Sequence, residues 1–350
     1  MLILPENSYL QYSGRIDFEE KNAPVFVYPA SWVKMNFTGS SLKVVVENHH
    51  DCWNNYLGYI LDGEQGRLLL SMEGKETLEI PVSQEKDVHE LMLFKRQDSC
   101  HTFTFYGFEV DDDSVLSEVE KKPDRRIEVF GDSVSAGEVS EAVDYVGQPD
   151  PEHNGEYSNS YYSYSWMLAR KLGAELHDVA QGGIALLDGT GYFGPPGYVG
   201  IENTYDCIEY SPFLGEKKKW DFSKYRPHVV IIAFGQNDSH PQDYMHEAPA
   251  GEKAGVWKAH YEAFVRKIRE IYPESVIILK TTILEHSVEW DDAIEEIYRK
   301  LDDPNMYHFM YSNNGSGTKG HIRIPEADRM SDELCEFISS LGDGIWQTEP

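Results

Sequence analysis

The hydrophobic pattern of this chain changes period once, across the charged stretch "DDDSVLSEVEKKPDRR" (111–126), and that change limits what it can fold into. Before it lie short alternating runs, among them "SWVKMNF", "SLKVVVEN", "YLGYILD" and "HTFTFYGFEV", many of them divided by Gly, Asn, Asp or Ser. Such runs, recurring every 8–12 residues or so with turn signals between them, predict an all-β sandwich of jelly-roll type. After it, continuous β-branched runs ("RIEVF", "HVVIIAF", "SVIILKTT") alternate with amphipathic patterns such as "AGVWKAHYEAFVRKIREIYP". That alternation predicts βα units around a parallel sheet buried on both faces. The stretch itself has few large apolar residues and reads as a linker. The expected layout is a β domain at 1–115, a linker at 116–126 and an α/β domain at 127–350. A chain of 350 residues is also long for one core.

Charge narrows the partners. With 31 basic and 60 acidic residues, the chain carries a net charge of −29. Such a surface repels phosphate backbones and anionic lipid, so neither nucleic acid nor a membrane is expected as a partner. A neutral substrate fits better. The first residues, "MLILPENSYLQYSG", have no basic segment before their apolar run, which breaks at Pro5. They do not read as a secretory signal, and a cytoplasmic location is expected. A homo-oligomer is allowed on base rate alone. The four cysteines, Cys52, Cys100, Cys207 and Cys335, lie far apart and read as free thiols. "NHHDCW" (48–53) gathers possible ligands, but neighbours on a strand point to opposite faces and chelate poorly.

In a parallel sheet, ligands bind beyond the carboxyl ends of the strands. Three such ends carry polar chemistry. "IEVFGDSVSAG" (127–137) stops its apolar run at Gly131 and presents Ser133 where the next helix begins. Free N–H groups at that helix start suit an oxyanion and Ser133 suits a nucleophile, although a serine there also serves as a plain helix cap. "HVVIIAFGQND" (228–238) ends with Asn237, whose amide can donate to an oxyanion, and "ELHDVAQGGIAL" ends with Gly182 and Gly183, whose backbone can do the same. A base is offered by His321, in a glycine-rich loop before the last helix, where a surface histidine is the plainer alternative.

The order Gly131-Asp132-Ser133, Gly183, Gly235-x-Asn237-Asp238 and late His321 resembles the four blocks of the SGNH hydrolases, or GDSL-type esterases. Joined to a β domain, it is similar to carbohydrate esterase family 2 over nearly the whole chain. The resemblance implies a flavodoxin-like three-layer α/β domain and a carbohydrate O-acetyl esterase of the acetylxylan esterase kind. Ser133 would be the nucleophile and His321 the general base. The Ser133 amide, the Gly183 amide and the Asn237 side chain would form the oxyanion hole. No metal or organic cofactor would be needed, and the partner would be a small acetylated sugar or oligosaccharide.

One position departs from the common pattern. Asp usually stands three residues before the histidine, and here Thr318 does. A Ser–His dyad is therefore expected, with a backbone carbonyl orienting the imidazole, and Glu326 and Asp328 as the alternatives for a carboxylate. His240, in "NDSHP", imitates the histidine block but follows directly on the Asn237 block, so His321 is preferred. Tyr192, Phe193 and Tyr198, in the long loop 184–219, are candidates for stacking on a sugar ring. Two other functions fit the sequence less well: an SGNH lipid or thioester hydrolase, and a non-catalytic carbohydrate-binding protein.

Overall fold

The alternating runs of the first hundred residues form two antiparallel sheets. In one, the strands run in the order Ile16–Asp17, Val25–Phe26, Thr102–Val110, Leu42–His49 and Lys75–Glu79, with Leu2–Ile3 also paired to Thr102–Val110. In the other the order is Leu116–Ser117, Trp32–Phe37, His89–Lys95, Tyr56–Leu61 and Glu64–Leu69, with Gln11–Ser13 also paired to Trp32–Phe37. This computed structural model describes residues 1–72, 74–83, 86–211 and 215–347. Side chains alternate along each strand, so Val33, Met35 and Phe37 of one sheet and Leu42, Val44 and Val46 of the other enter a shared core with Phe103 and Phe105. Leu116 and Ser117, expected in the linker, instead add a short strand beside Phe37 and Asn36. Their backbone groups can extend the ladder, which the charge pattern of the stretch does not reveal.

The parallel sheet has five strands: β1 (Arg125–Gly131), β2 (Ala174–Ala180), β3 (Val229–Ala233), β4 (Val276–Lys280) and β5 (Met306–His308). Their order is β2-β1-β3-β4-β5. This is the flavodoxin-like order, whose switch point lies between β1 and β3. Every residue of β3 and β4 is buried, as a sheet covered on both faces requires. On one face Ile127, Val129 and Ile231 meet Leu168 of α2 (Tyr164–Leu172) and Leu334 and Ile338 of α5 (Ile324–Ser340). On the other, Phe130 and Ile232 meet Trp257 and Phe264 of α3 (Glu252–Ile271) and Trp290 and Ile294 of α4 (Val288–Leu301). No helix among the described residues is long and apolar enough to cross a membrane.

The two sheet systems are joined by buried polar contacts. The Arg15 guanidinium, from the β domain, meets Glu128 of β1 at 3.0 Å, with both side chains fully buried. Arg15 also donates to the Tyr205 carbonyl at 2.6 Å, and its guanidinium lies over the rings of Phe130 and Phe222. The Tyr272 hydroxyl donates to the other Glu128 oxygen at 2.6 Å. Removing one partner of a buried ion pair strands the other charge, at a cost of about 3–5 kcal/mol. Arg15→Ala is expected to lose stability on that scale in chemical denaturation. The double variant Arg15→Met, Glu128→Leu should lose less than Arg15→Ala, because no charge is left unpaired.

Candidate active site

At the end of β1 the chain turns through Asp132 into a one-turn helix, α1 (Ser133–Ala136), and places Ser133 at its first position. Asp132 holds this turn. Its Oδ1 accepts from the Val134 N–H at 3.0 Å, and its Oδ2 accepts from Gln236 Nε2 at 2.7 Å and from Asn237 Nδ2 at 3.3 Å. One carboxylate therefore ties the end of β1 to the loop that follows β3. Burial pushes the Asp132 carboxyl up to about 6, against the hydrogen bonds that favour its charge.

A cavity of about 680 Å³ opens beyond these strand ends, between the parallel sheet and the β domain. Ser133, Gly183, Asn237 and His321 all line it, and so do Tyr192 and Phe193. Tyr198 is not among its lining residues; it sits edge-on to His240, whose other neighbour is the stacked ring of Tyr192. Gly194 and Pro195 still line the cavity, and the turn at 195–197 separates them from Tyr198. His240 is likewise outside the lining, its Nδ1 directed to the Gly191 carbonyl at 2.7 Å.

The partner of His321 differs from the expected carbonyl. His321 Nδ1 lies 2.6 Å from Asp150 Oδ2, and the His321 N–H donates to Asp150 Oδ1 at 2.8 Å. An ionised carboxylate only accepts, so Nδ1 carries a proton and Nε2 is the nitrogen that gains or loses one. The site thus contains an acid–histidine pair, which corrects the reading as a Ser–His dyad. Glu326 and Asp328 are committed elsewhere. Glu326 closes a capping box with Arg323 and accepts from the Gly147 N–H, while Asp328 pairs with Lys171 at 2.7 Å. Sequence spacing could not find Asp150, which is 171 positions from the histidine it holds.

Three further residues at the site escaped the sequence reading. Glu138 directly follows the α1 turn, and its Oε2 faces His321 Nε2 at 3.8 Å. Burial raises the Glu138 carboxyl to about 7, opposed by the charge of His321. Asp98, from the β domain, accepts at Oδ2 from the Gly182 N–H at 2.6 Å and from Gln181 Nε2 at 2.8 Å. A Cβ on Gly182 would come within 2.5 Å of that oxygen and 2.7 Å of Glu138 Oε2, so a side chain there would displace the two carboxylates. Gly183 then takes φ +71°, with the Tyr192 Cβ close by. Trp53, also from the β domain, adds an aromatic wall to the cavity.

Charge around the imidazole is one-sided. Burial pushes the His321 pKa down, but the Glu138 carboxylate and then the Asp150 hydrogen bond and charge outweigh it, raising it to about 9. Burial likewise favours a neutral Asp150, yet the His321 hydrogen bond and charge and the nearby Arg323 hold its carboxyl below the ordinary range.

This arrangement, an acid-held histidine and a helix-start serine at the switch point of a 2-1-3-4-5 sheet with a β domain closing the cleft, defines a two-domain protein of SGNH-like fold. A family model described as carbohydrate esterase 2 N-terminal matches residues 12–119. The cellulase/esterase CelE of Acetivibrio thermocellus is 28% identical over 273 residues, which is 78% of this chain and 31% of that protein. This chain thus spans about a third of the length of that relative. An acetylxylan esterase/glucomannan deacetylase of Cellvibrio japonicus is 24% identical over 97% of this chain and 91% of its own. The solved structure of a family two carbohydrate esterase from Clostridium thermocellum, in complex with cellohexaose, superposes with a TM-score of 0.78 at 25% identity, covering 95% of this chain and 98% of that one. The chain thus matches the carbohydrate esterase 2 model over its N-terminal third and is similar to family two carbohydrate esterases over nearly its whole length.

Two outcomes test the site. Asp150→Asn should cost about 10⁴ in turnover, the scale of losing a triad acid, whereas Glu326→Gln and Asp328→Asn should stay within about tenfold of the unaltered protein. The pH dependence of kcat/KM supplies the second. With His321 as the expected base, which works only when neutral, activity should rise with pH through its raised value of about 9. Glu138→Gln removes the largest raising charge and should move that limb to lower pH.

Proposed function

We propose that this chain is a carbohydrate O-acetyl esterase of the acetylxylan esterase kind, acting through Ser133, His321 and Asp150. The observation that carries this reading is the Asp150–His321 pair lining one cavity with Ser133. Ser133 Oγ attacks the acetyl carbonyl while His321 Nε2 takes its proton. Asp150 fixes the ring and stabilises the imidazolium that forms. The tetrahedral oxyanion is met by the Ser133 and Gly183 N–H groups, which have no acceptor among the described residues. Asn237 Nδ2 donates to the Ile184 carbonyl at 3.1 Å and, at 3.3 Å, to Asp132. The longer of these two bonds gives way as Asn237 becomes the third donor. His321 then returns the proton to the sugar oxygen, leaving an acetyl-enzyme. Water, activated by the same histidine, releases acetate.

The cavity favours a neutral, hydroxyl-rich ligand. Trp53, Tyr192 and Phe193 offer ring faces, and Asp51, Asp98, Glu138 and Glu285 offer acceptors. A bound sugar would span both domains, because Trp53 and Asp98 come from the β domain. The β domain is read as a jelly roll, with the junction to the catalytic domain between Ser117 and Arg125.

Acetate release from defined acetylated xylo- and gluco-oligosaccharides, resolved by hydroxyl position, tests the function. Acetate should appear, should vanish with Ser133→Ala, and p-nitrophenyl esters should be cut less well as the acyl chain lengthens. Preference for long acyl chains would instead favour a lipid or thioester hydrolase. Glycan binding without acetate release would leave a binding protein.

A further inference from the structure

We propose that Cys52, Cys100 and His101 form a site for a soft divalent cation of the zinc class, set in the wall of the catalytic cavity. One donor atom from each of these three residues lies within 4.8 Å of the others. The two sulfurs are 4.0 Å apart. Two thiolates on a tetrahedral zinc, each about 2.3 Å from the metal, stand about 3.8 Å apart, so the resting geometry already matches one edge of such a site. A disulfide would require the sulfurs to close to about 2.05 Å.

The chain path explains how the cluster forms despite the alternation that argued against chelation within "NHHDCW". The strand Leu42–His49 ends before Cys52, and residues 51–53 bend out of the pleat. Cys52 thereby leaves its sequence neighbours and meets Cys100 and His101, just before the strand Thr102–Val110. The ligands come from two chain segments that pair in the same sheet, not from adjacent positions.

The histidine supplies the third donor. His101 is fully buried, and its Nε2 has no hydrogen-bond partner among the described residues. The unpartnered Nε2 is the protonated nitrogen, because Nδ1 holds the lone pair, and Nδ1 is therefore the atom a metal would take. Its Nδ1 accepts from the Asp51 N–H at 3.1 Å, which fixes the ring. On metal binding each thiol loses its proton to solvent as its sulfur bonds the metal.

Two sulfurs and an imidazole select zinc-class ions over magnesium or calcium. Cys52 and Cys100 both line the cavity, so the fourth position faces it and would hold water or a ligand hydroxyl. Asp98 adds negative charge beside the site, with Oδ1 accepting from the Cys100 N–H at 3.3 Å. The same carboxylate holds Gly182, so a cation here would sit one residue's reach from the glycine block.

The test uses the full chain, reduced and stripped with a chelator, then titrated with Co²⁺. A sulfur-to-cobalt charge-transfer band and tetrahedral d–d bands should saturate at one ion per chain, and Zn²⁺ should abolish them. Mg²⁺ should not. Cys52 is exposed, so Cys52→Ser should keep its metal-free melting temperature while losing the charge-transfer band. Zn²⁺ should raise the melting temperature of the unaltered chain and not that of Cys52→Ser. Absence of the band, its survival in Cys52→Ser, or saturation above one ion per chain would overturn the site.

Discussion

A buried ion pair between Arg15 and Glu128 fixes how the two halves of this protein meet. Glu128 stands on β1, the strand that also delivers Asp132 and Ser133 a few residues later. Its side chain alternates to the face opposite Ile127 and Val129, where Arg15 can reach it. Two fully buried charges tolerate little displacement, since each depends on the other for its solvation. The β domain is thereby locked against the parallel sheet, and its Asp98 and Ser99 reach Gly182 and Ala180 at the carboxyl end of β2. Asp98 makes that placement matter to the site, because it grips Gly182 beside Gly183.

The cavity concentrates carboxylates around one imidazole. Asp150 and Glu138 approach opposite nitrogens of His321, at 2.6 Å and 3.8 Å. Asp150 makes a short, oriented contact that sets the tautomer. Glu138 is farther away and acts through charge. Both stabilise the imidazolium and so raise the pH at which His321 gives up its proton. Arg323, fully buried and 2.9 Å from Asp150 Oδ1, keeps the negative charge of Asp150 from standing alone.

Local pattern made much of this legible. The change from period-two runs to continuous β-branched strands separated the two sheet systems, because a half-buried strand and a doubly covered one place different demands on successive residues. Ser133, Asn237 and Gly183 follow the ends of β1, β3 and β2, and in a parallel sheet those ends share one edge. Leu116 and Ser117 were hidden by their charged surroundings, since an edge strand needs only backbone groups to pair. Tyr198 lies in the same aromatic loop as Tyr192, and nothing in its composition tells which ring turns toward the cavity.

The sequence by itself determined the two-part fold class and the family resemblance and offered the serine and the histidine as candidates, because each is written in residues that are neighbours or regularly spaced along one element. Only the tertiary structure decided the acid. Thr318 occupies the usual place near the histidine, and the carboxylate comes instead from Asp150, in a loop between α1 and α2. It also brought Trp53, Asp98 and Cys52 of the β domain to the cavity. The physical reason is the same for each. A hydrogen bond or a charge acts over a few ångströms in space, and the chain distance between its partners leaves no periodic trace.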